Sequence, residues 1–169
     1  GLNELYEAIS EINSSQIRCE LWLCGFTDYD NVSAISKQTL ELWNEKSWLH
    51  WKGPSNSIEN IMSEVDCVVL PSYREGMPKS LLEAGAMALP VVTTDVPGCN
   101  TIISNNFNGL ICKPKDSQSL EEALNHMLNM TKAERSKMGS YGREIVQDNY
   151  DEEIVIQAAI DQVYKIINN

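Results

Sequence analysis

The chain has 169 residues and a mass of 19.0 kDa, with 13 basic and 24 acidic side chains that give a formal net charge of −11. Its 43% hydrophobic residues are enough for the core of one compact domain, and this composition excludes a disordered chain or a disulfide-stapled miniprotein. The acidic balance opposes nucleic-acid binding across the whole surface, so we expect no nucleic-acid partner. No apolar run approaches the roughly 20 residues of a membrane span.

The five cysteines are odd in number and contain no C-x2-C pair, so we expect neither a disulfide framework nor a zinc site. Cys19, Cys24 and Cys67 stand within apolar runs, where a thiol usually behaves as a small buried hydrophobe. We therefore expect a reduced, cytoplasmic protein.

Strand and helix patterns alternate along the chain. Helical spacing predicts a first helix at residues 2–12, and the face formed by Leu82, Gly85, Ala86 and Leu89 predicts another at residues 78–89. Further helices are predicted at residues 32–45, 57–63 and 119–130 and from 131 onward, with a break near 148–151, and strands at 17–24, 48–51, 66–70, 90–94 and 109–112. Such βαβ alternation predicts an α/β fold, a doubly wound, Rossmann-like parallel sheet with helices on both faces.

The loop between the strand at residues 66–70 and the helix at 78–89 carries the strongest functional signal. In open parallel sheets, ligands bind beyond the carboxyl ends of strands, where unpaired N–H groups at a helix start attract phosphate. Pro78 suits the first helical position, and Lys79 in the first turn opposes the helix dipole unless an anion is bound. With Arg74 nearby, the loop is locally basic, and the sequence predicts an anion site there.

Glu83 lies about 7–8 Å along the axis from the start of that helix. Its neighbours Leu81, Leu82 and Ala84 are apolar, so the carboxylate does not belong to a simple solvated face. A carboxylate at this depth can accept two hydrogen bonds from a ribose diol while a diphosphate rests on the helix N-terminus. The alternative is that Glu83 faces water or pairs with a basic side chain.

The segment E-G-M-P-K-S-L-L-E-A at residues 75–84, followed by L-P-V-V-T-T-D-V-P-G-C at 89–99, resembles the donor domain of retaining GT-B-fold glycosyltransferases. The resemblance is to family 4 (glycosyl transferases group 1), which builds bacterial capsule, O-antigen and exopolysaccharide, and it extends to about residue 128. It implies that residues 1–169 form a single nucleotide-sugar donor-binding domain, the C-terminal half of a GT-B fold, and that the N-terminal acceptor domain is absent from this chain.

The resemblance implies a role for two carboxylates and three backbone groups. Glu75 would be the catalytic residue, contacting hydroxyls of the transferred sugar near the reacting centre, and Glu83 would hold the ribose hydroxyls. The backbone N–H groups of Gly76, Met77 and Lys79 would cradle the diphosphate, whereas the proline between them cannot donate where relatives have glycine.

A second loop, at residues 52–55, matches the family segment that lines the nucleobase, through Gly53 and Ser55. Neither a metal nor another cofactor is implied, because the helix dipole and cationic side chains stabilise the leaving diphosphate. Asp28-Tyr29-Asp30 matches the D-x-D metal motif of the other main glycosyltransferase fold, but its loop context favours a solvated turn. His50 and His126 have no nucleophile partner at a recognisable spacing.

The implied activity is retaining hexosyl transfer from a nucleotide-diphosphate sugar, with UDP-sugar preferred, in polysaccharide biosynthesis. The acceptor would be a saccharide or a lipid-linked saccharide bound by the N-terminal domain, which would also make any peripheral contact with the inner face of the membrane. We expect this chain alone to bind nucleotide diphosphate weakly and to be inactive. The alternatives are a sugar-nucleotide epimerase of the same fold and a non-catalytic nucleotide-binding module.

Two departures from the family pattern concern the ends of the motif region. The Arg and Lys that clamp the diphosphate in the family lie around the first strand, and this chain starts at what aligns just after that Lys. In the strand order 3-2-1-4-5-6 the first strand is central, so we expect residues 1–169 not to complete the sheet. The second departure is P-G-C-N-T at residues 97–101, where relatives often carry an acidic residue.

Overall fold

The computed structural model describes residues 1–27 and 34–167 of the chain. Helices and strands alternate along it, and every strand pairing is parallel. In chain order the elements are α1 Leu2–Ile12, β1 Leu21–Cys24, α2 Lys37–Trp43, β2 Leu49–Gly53, α3 Ile58–Met62, β3 Val68–Leu70, α4 Lys79–Ala86, β4 Val91–Thr94, α5 Cys99–Ile102, β5 Gly109–Cys112, α6 Ser117–Asn129, α7 Lys132–Tyr150 and α8 Glu152–Ile167. The α/β class and the parallel arrangement are confirmed.

The strands form two sheets, with orders β1-β2 and β3-β4-β5. Within the described residues no strand pairs with the second edge of β1 or of β3, and both edges line one cavity of about 770 Å³. In the predicted order 3-2-1-4-5-6, this gap lies where the central first strand belongs. The expectation that residues 1–169 leave the sheet incomplete is confirmed for the part of the chain that the structure describes.

Two apolar clusters enclose the three-stranded sheet. One joins α1 and α6 to Val92 of β4 and to both strands of the smaller sheet, and the other joins α4 and α5 to Val91. All four residues of β4 are buried, as a central strand covered on both faces should be. Helices therefore cover both faces of the sheet, as the doubly wound pattern predicts.

Two predicted boundaries in the N-terminal part of the chain are wrong for identifiable reasons. The strand predicted at residues 17–24 begins only at Leu21, because pairing with β2 starts at Leu49 opposite it. Before it, the Asn13 side chain accepts from the Arg18 N–H at 2.8 Å and donates to the Cys19 carbonyl at 2.9 Å, which holds these residues in a turn. The helix predicted at 32–45 is α2, capped by Ser36 through the Thr39 N–H at 3.0 Å, while residues 28–33 lie outside the described part.

The helix predicted at residues 78–89 is shorter, and its buried face differs. Pro78 is the N-cap rather than the first helical residue, and the helix ends before Ala88, whose φ of 55° is left-handed. Of the predicted face, Gly85 is buried, Leu82 and Leu89 are partly buried against the second cluster, and Ala86 is exposed. The other residues that α4 buries are Leu81 and Ala84. α7 packs directly on Gly85, where a Cβ would lie 3.1 Å from the Gly142 carbonyl oxygen.

The remaining helices include one that the sequence patterns did not predict. α5 is a single turn that begins directly after the Pro97-Gly98 turn. The predicted break in the C-terminal helical region lies at Asp151, between α7 and α8. None of the described helices is both long and apolar enough to cross a membrane.

Candidate functional site

The predicted anion loop, residues 71–78, connects the carboxyl end of β3 to the start of α4. No side chain caps this helix start, and the first N–H groups with a helical acceptor are those of Leu81 and Leu82, which donate to the Pro78 carbonyl. The N–H groups of Lys79 and Ser80 precede the helical ladder and are open to an external acceptor. The local geometry is that of a phosphate-binding helix terminus.

The tip of this loop is exposed. Gly76 is exposed, and a Cβ built on it would meet no atom within 4 Å. Met77 is 56% exposed. Gly76 and Met77 are therefore accessible to a ligand that rests on the N-terminus of α4.

Glu75 is half-buried at the base of the tip, and one hydrogen bond orients its carboxylate. The Ser72 hydroxyl donates to Oε1 at 2.6 Å, within the same loop. Ser72 is in turn fixed from β4, because the buried Thr94 hydroxyl donates to the Ser72 carbonyl. Its neighbour Thr93 donates to the Leu70 carbonyl at 2.8 Å.

Glu83 and Lys79 lie one turn apart on α4 and form an ion pair, with 3.5 Å between Nζ and Oε1. The Lys79 side chain is 86% exposed, whereas that of Glu83 is 30% exposed. The sequence left open that Glu83 pairs with a basic side chain, and the structure shows this pair. Because the lysine side chain is exposed to solvent, the ion pair is weak and leaves both groups able to turn to a ligand.

The second predicted loop follows β2 and begins at Gly53, whose φ is +69°. The Gly53 carbonyl accepts from the Gly25 N–H at 2.9 Å and from the Cys24 thiol at 3.4 Å, which ties the ends of β1 and β2 together. The Ser55 hydroxyl accepts from the Ser57 N–H at 3.1 Å. Trp51 donates its indole N–H to the Gly25 carbonyl at 3.1 Å and so braces this edge.

A contact that the sequence patterns did not reveal ties the anion loop to α1. The Tyr73 hydroxyl donates to the Glu4 carboxylate, and the Lys115 ammonium lies 5.1 Å from the centre of the Tyr73 ring. The bond to Glu4 raises the pKa of Tyr73 to about 12. Lys115 itself has a left-handed φ of 59° in the turn after β5. No local motif links residues this far apart in sequence, so only the fold brings them together.

The remaining candidate groups are potential metal ligands and thiols. In residues 1–27 and 34–167 no three His, Cys, Asp or Glu side chains cluster as a metal site would require, and the D-x-D segment lies outside the described residues. The prediction that Cys24 is buried is wrong: Cys24 ends the short strand β1 and is exposed. Cys19 and Cys67 are partly buried, Cys99 and Cys112 are buried, and all the cysteines are free.

Together, the two loops line the carboxyl ends of parallel strands, with an open helix terminus, two carboxylates and a lysine on the β3 side. This arrangement can bind a diphosphate at α4 and polar hydroxyl groups beside it.

The sequence of the chain is similar to those of known glycosyltransferases. The chain is 31% identical over its full length to the N,N'-diacetylbacillosaminyl-diphospho-undecaprenol alpha-1,3-N-acetylgalactosaminyltransferase of Campylobacter jejuni, of which it spans 42%. It is 26% identical over 92% of its length to the capsular polysaccharide biosynthesis glycosyltransferase CapM of Staphylococcus aureus, and covers 40% of that protein. The chain thus spans less than half the length of these relatives.

A solved structure agrees with the fold. The Anabaena protein HepE, crystallised with UDP and glucose, superposes with a TM-score of 0.84 over 97% of this chain and 44% of its own, at 18% identity. The match to part of a GT-B enzyme confirms the fold class. The family model "Glycosyl transferases group 1" matches residues 1–145. The chain therefore belongs to the glycosyl transferases group 1 family.

Proposed function

We propose that residues 1–169 are the donor-binding domain of a retaining glycosyltransferase that takes a nucleotide-diphosphate sugar, preferably a UDP-sugar. One observation carries the proposal: the uncapped N-terminus of α4 opens at the carboxyl end of the sheet, with Glu75 before it and Glu83 one turn inside it. The donor diphosphate would lie on the N–H groups of Gly76, Met77 and Lys79, and the ribose hydroxyls on Glu83.

The nucleobase would lie against the loop that contains Gly53 and Ser55. That loop follows β2, which runs parallel to β1 in the smaller sheet, so it opens at the carboxyl end of its strand as the diphosphate loop does at the end of β3. The transferred sugar would contact Glu75, which we assign as the catalytic residue because it is the half-buried carboxylate next to the diphosphate loop.

The acceptor would be a saccharide or a lipid-linked saccharide. The C. jejuni relative is named for transfer to a diphospho-undecaprenol-linked sugar and CapM for capsular polysaccharide biosynthesis, which supports an acceptor of this class. Since the chain covers less than half of both relatives, we assign the acceptor site, and any peripheral contact with the cytoplasmic face of a membrane, to a separate N-terminal domain.

Calorimetric titration of the domain with UDP and with GDP tests the donor site. We expect weak binding, stronger for UDP, and a loss of about tenfold or more in affinity for Glu83→Ala, because two hydrogen bonds to a charged group disappear. Glu41→Ala is the matched control, since Glu41 also pairs with a lysine four residues before it, at 3.6 Å. Equal affinity of Glu83→Ala and the wild type would exclude the ribose role.

Product analysis of the full-length protein with a UDP-sugar, with and without acceptor, distinguishes the three candidate functions. A retaining transferase makes a glycoside with the anomeric configuration of the donor only when acceptor is present. An epimerase changes the sugar without acceptor, and a non-catalytic module leaves the donor intact. We expect the first result, unchanged by a metal chelator, because the helix terminus and lysine stabilise the leaving diphosphate without a metal.

A further inference from the structure

We propose that Ser72 is a positioning residue for Glu75 and that Thr94 of β4, together with Gly98 of the turn after it, fixes the loop on which both residues stand. The inference rests on the proposed role of Glu75 at the donor sugar. None of the three supporting residues carries a charge or belongs to the set proposed to contact the ligand.

The first step is the hydrogen bond to Glu75 itself. The Ser72 hydroxyl, three residues earlier in the same loop, donates to Oε1 at 2.6 Å, which leaves the second carboxylate oxygen for a ligand. A hydrogen bond to a carboxylate of this length is a strong one and selects one rotamer of the glutamate. Without it, an extended side chain with three rotatable bonds would sample several directions.

The second step explains why β4 ends in two buried threonines. Thr93 and Thr94 are 0% and 2% exposed, at positions of a fully buried strand where valine would fill the same space without a polar atom. A buried hydroxyl persists only where it is hydrogen-bonded. Both hydroxyls donate to backbone carbonyls of the neighbouring strand and loop, and that of Thr94 holds the carbonyl of Ser72.

The third step concerns the turn after β4. Gly98 has a φ of +86°, and a Cβ on it would lie 2.9 Å from the Glu75 carbonyl oxygen and closer still to that of Gly76. No side chain fits at this position, so the turn packs directly on the backbone of the catalytic loop. The buried Cys99 that follows is near enough that the charge of Glu75 contributes, after burial, to a raised pKa of its thiol.

The three contacts act on one short segment from one side. Thr94 holds the residue that donates to Glu75, and Gly98 supports the backbone of Glu75 and Gly76 from the sheet side. The opposite side of Gly76 is open. Preorganised supports of this kind matter because displacing a reacting group by about 1 Å can lower the rate by a factor of about 100.

The test uses the full-length transferase with UDP-glucose and UDP-N-acetylgalactosamine as donor probes and UDP as the sugar-free probe. We expect Ser72→Ala to lower kcat for the transferred donor by about 10- to 100-fold while the affinity for UDP stays within about twofold. Ser72→Thr retains the hydroxyl and is expected to restore most of kcat. Ser63→Ala, which removes a hydroxyl that donates to the Asn60 carbonyl at 2.7 Å, is the control and should change neither quantity.

A double-mutant cycle separates positioning from general loop damage. In a Glu75→Ala background, Ser72→Ala should have little further effect on kcat, because its partner is gone. An equal loss in both backgrounds, a parallel loss of UDP affinity and melting temperature, or failure of Ser72→Thr to restore kcat would overturn the positioning role. If Ser72→Ala has the wild-type kcat while Glu75→Ala is impaired, only the inference about Ser72 is overturned. If Glu75→Ala itself has the wild-type kcat, the proposed role of Glu75 is overturned as well.

Discussion

The two sheets hold the loops that follow them in different ways. The central strand of the larger sheet, β4, is buried along its whole length, and its end packs on the loop that contains Glu75. In β1 of the smaller sheet only Leu21 is fully buried, and the strand ends at the exposed Cys24. Within the described residues, the loop after β2 is tied to the sheet only at its start, and a Cβ on Gly53 would meet nothing within 4 Å.

This difference corresponds to what each loop is proposed to do. A reacting sugar needs a fixed geometry, and the loop after β3 is fixed by packing and hydrogen bonds from a buried strand. A nucleobase needs a complementary surface, which can change from one relative to another without disturbing the reaction. The larger sheet should therefore be intolerant of substitutions that the smaller sheet accepts.

Thiol reactivity gives the largest expected contrast between the two sheets. Burial raises the pKa of Cys67, just before β3, to about 12, and that of Cys112 at the end of β5 to about 11. At neutral pH the reactive thiolate of Cys67 is therefore about a thousandfold scarcer than that of an ordinary cysteine. We expect a maleimide to label the exposed Cys24 first, as intact-protein mass spectrometry with peptide mapping would show. Prior labelling of Cys67 would contradict the contrast.

The same experiment examines the nucleobase loop. The Cys24 thiol donates to the Gly53 carbonyl, so a base bound against that loop should slow its labelling. We expect UDP to protect Cys24 from labelling in the wild type. At the same concentration, UDP should protect Cys24 less in the Glu83→Ala variant. Protection that is equal for inorganic pyrophosphate would place the effect at the diphosphate loop instead.

A matched pair of glycine substitutions gives the next largest effect. Gly98 and Gly53 both have positive φ, so alanine costs each about 1–2 kcal/mol of backbone strain. At Gly98 the new Cβ would also collide with two backbone carbonyls, whereas at Gly53 the space is open. Chemical denaturation should show a loss of about 3 kcal/mol or more for Gly98→Ala and about 1 kcal/mol for Gly53→Ala. Equal losses would mean that the turn after β4 does not support the loop.

The sequence predicted the elements better than the contacts that make the site. Residues 2–12 and 109–112 have the predicted bounds, because a helix with one apolar face and a short buried strand carry their own periodicity. The loop from Glu75 to Lys79 was predicted to follow a strand and open a helix, and it does. Local sequence patterns could not show that Thr94 and Gly98 contact this loop. These contacts exist because β3 and β4 pair in parallel in the folded sheet. Nor could local patterns show that Gly85 of α4 packs closely against α7.

Tyr73 should titrate far above an ordinary tyrosine. Its hydrogen bond to Glu4 favours the protonated phenol and raises the pKa to about 12 from the ordinary value of about 10. The folded-state pKa is raised, so the contribution of this bond to stability is present below about pH 10 and is lost as the pH rises from 10 to 12. The difference in phenolate absorption between the wild type and Tyr73→Phe should give this pKa, and Glu4→Gln should lower it. A midpoint near pH 10 in the wild type would show that the loop is not tied to α1 in solution.

Lys79 gives the smallest expected effect on stability, although it lies at the centre of the proposed diphosphate site. Its ion pair with Glu83 is exposed, and the lysine precedes the glutamate, which is the weaker orientation in a helix. The positive charge at a helix N-terminus also opposes the dipole, so the two contributions nearly cancel. Lys79→Met should therefore change the free energy of unfolding by less than about 0.5 kcal/mol.

The affinity for UDP should nevertheless fall in Lys79→Met, because a bound diphosphate gains both from the charge and from the helix terminus. Lys37→Met is the control: Lys37 is also the first residue of a helix and pairs with Glu41 four residues later, but α2 has a side-chain cap and does not begin at a predicted ligand loop. Calorimetry should show weaker UDP binding for Lys79→Met than for the wild type, and unchanged binding for Lys37→Met. Equal affinities for the two variants would mean that Lys79 stabilises nothing in the complex, and the diphosphate would then depend on backbone N–H groups and on basic residues outside this loop.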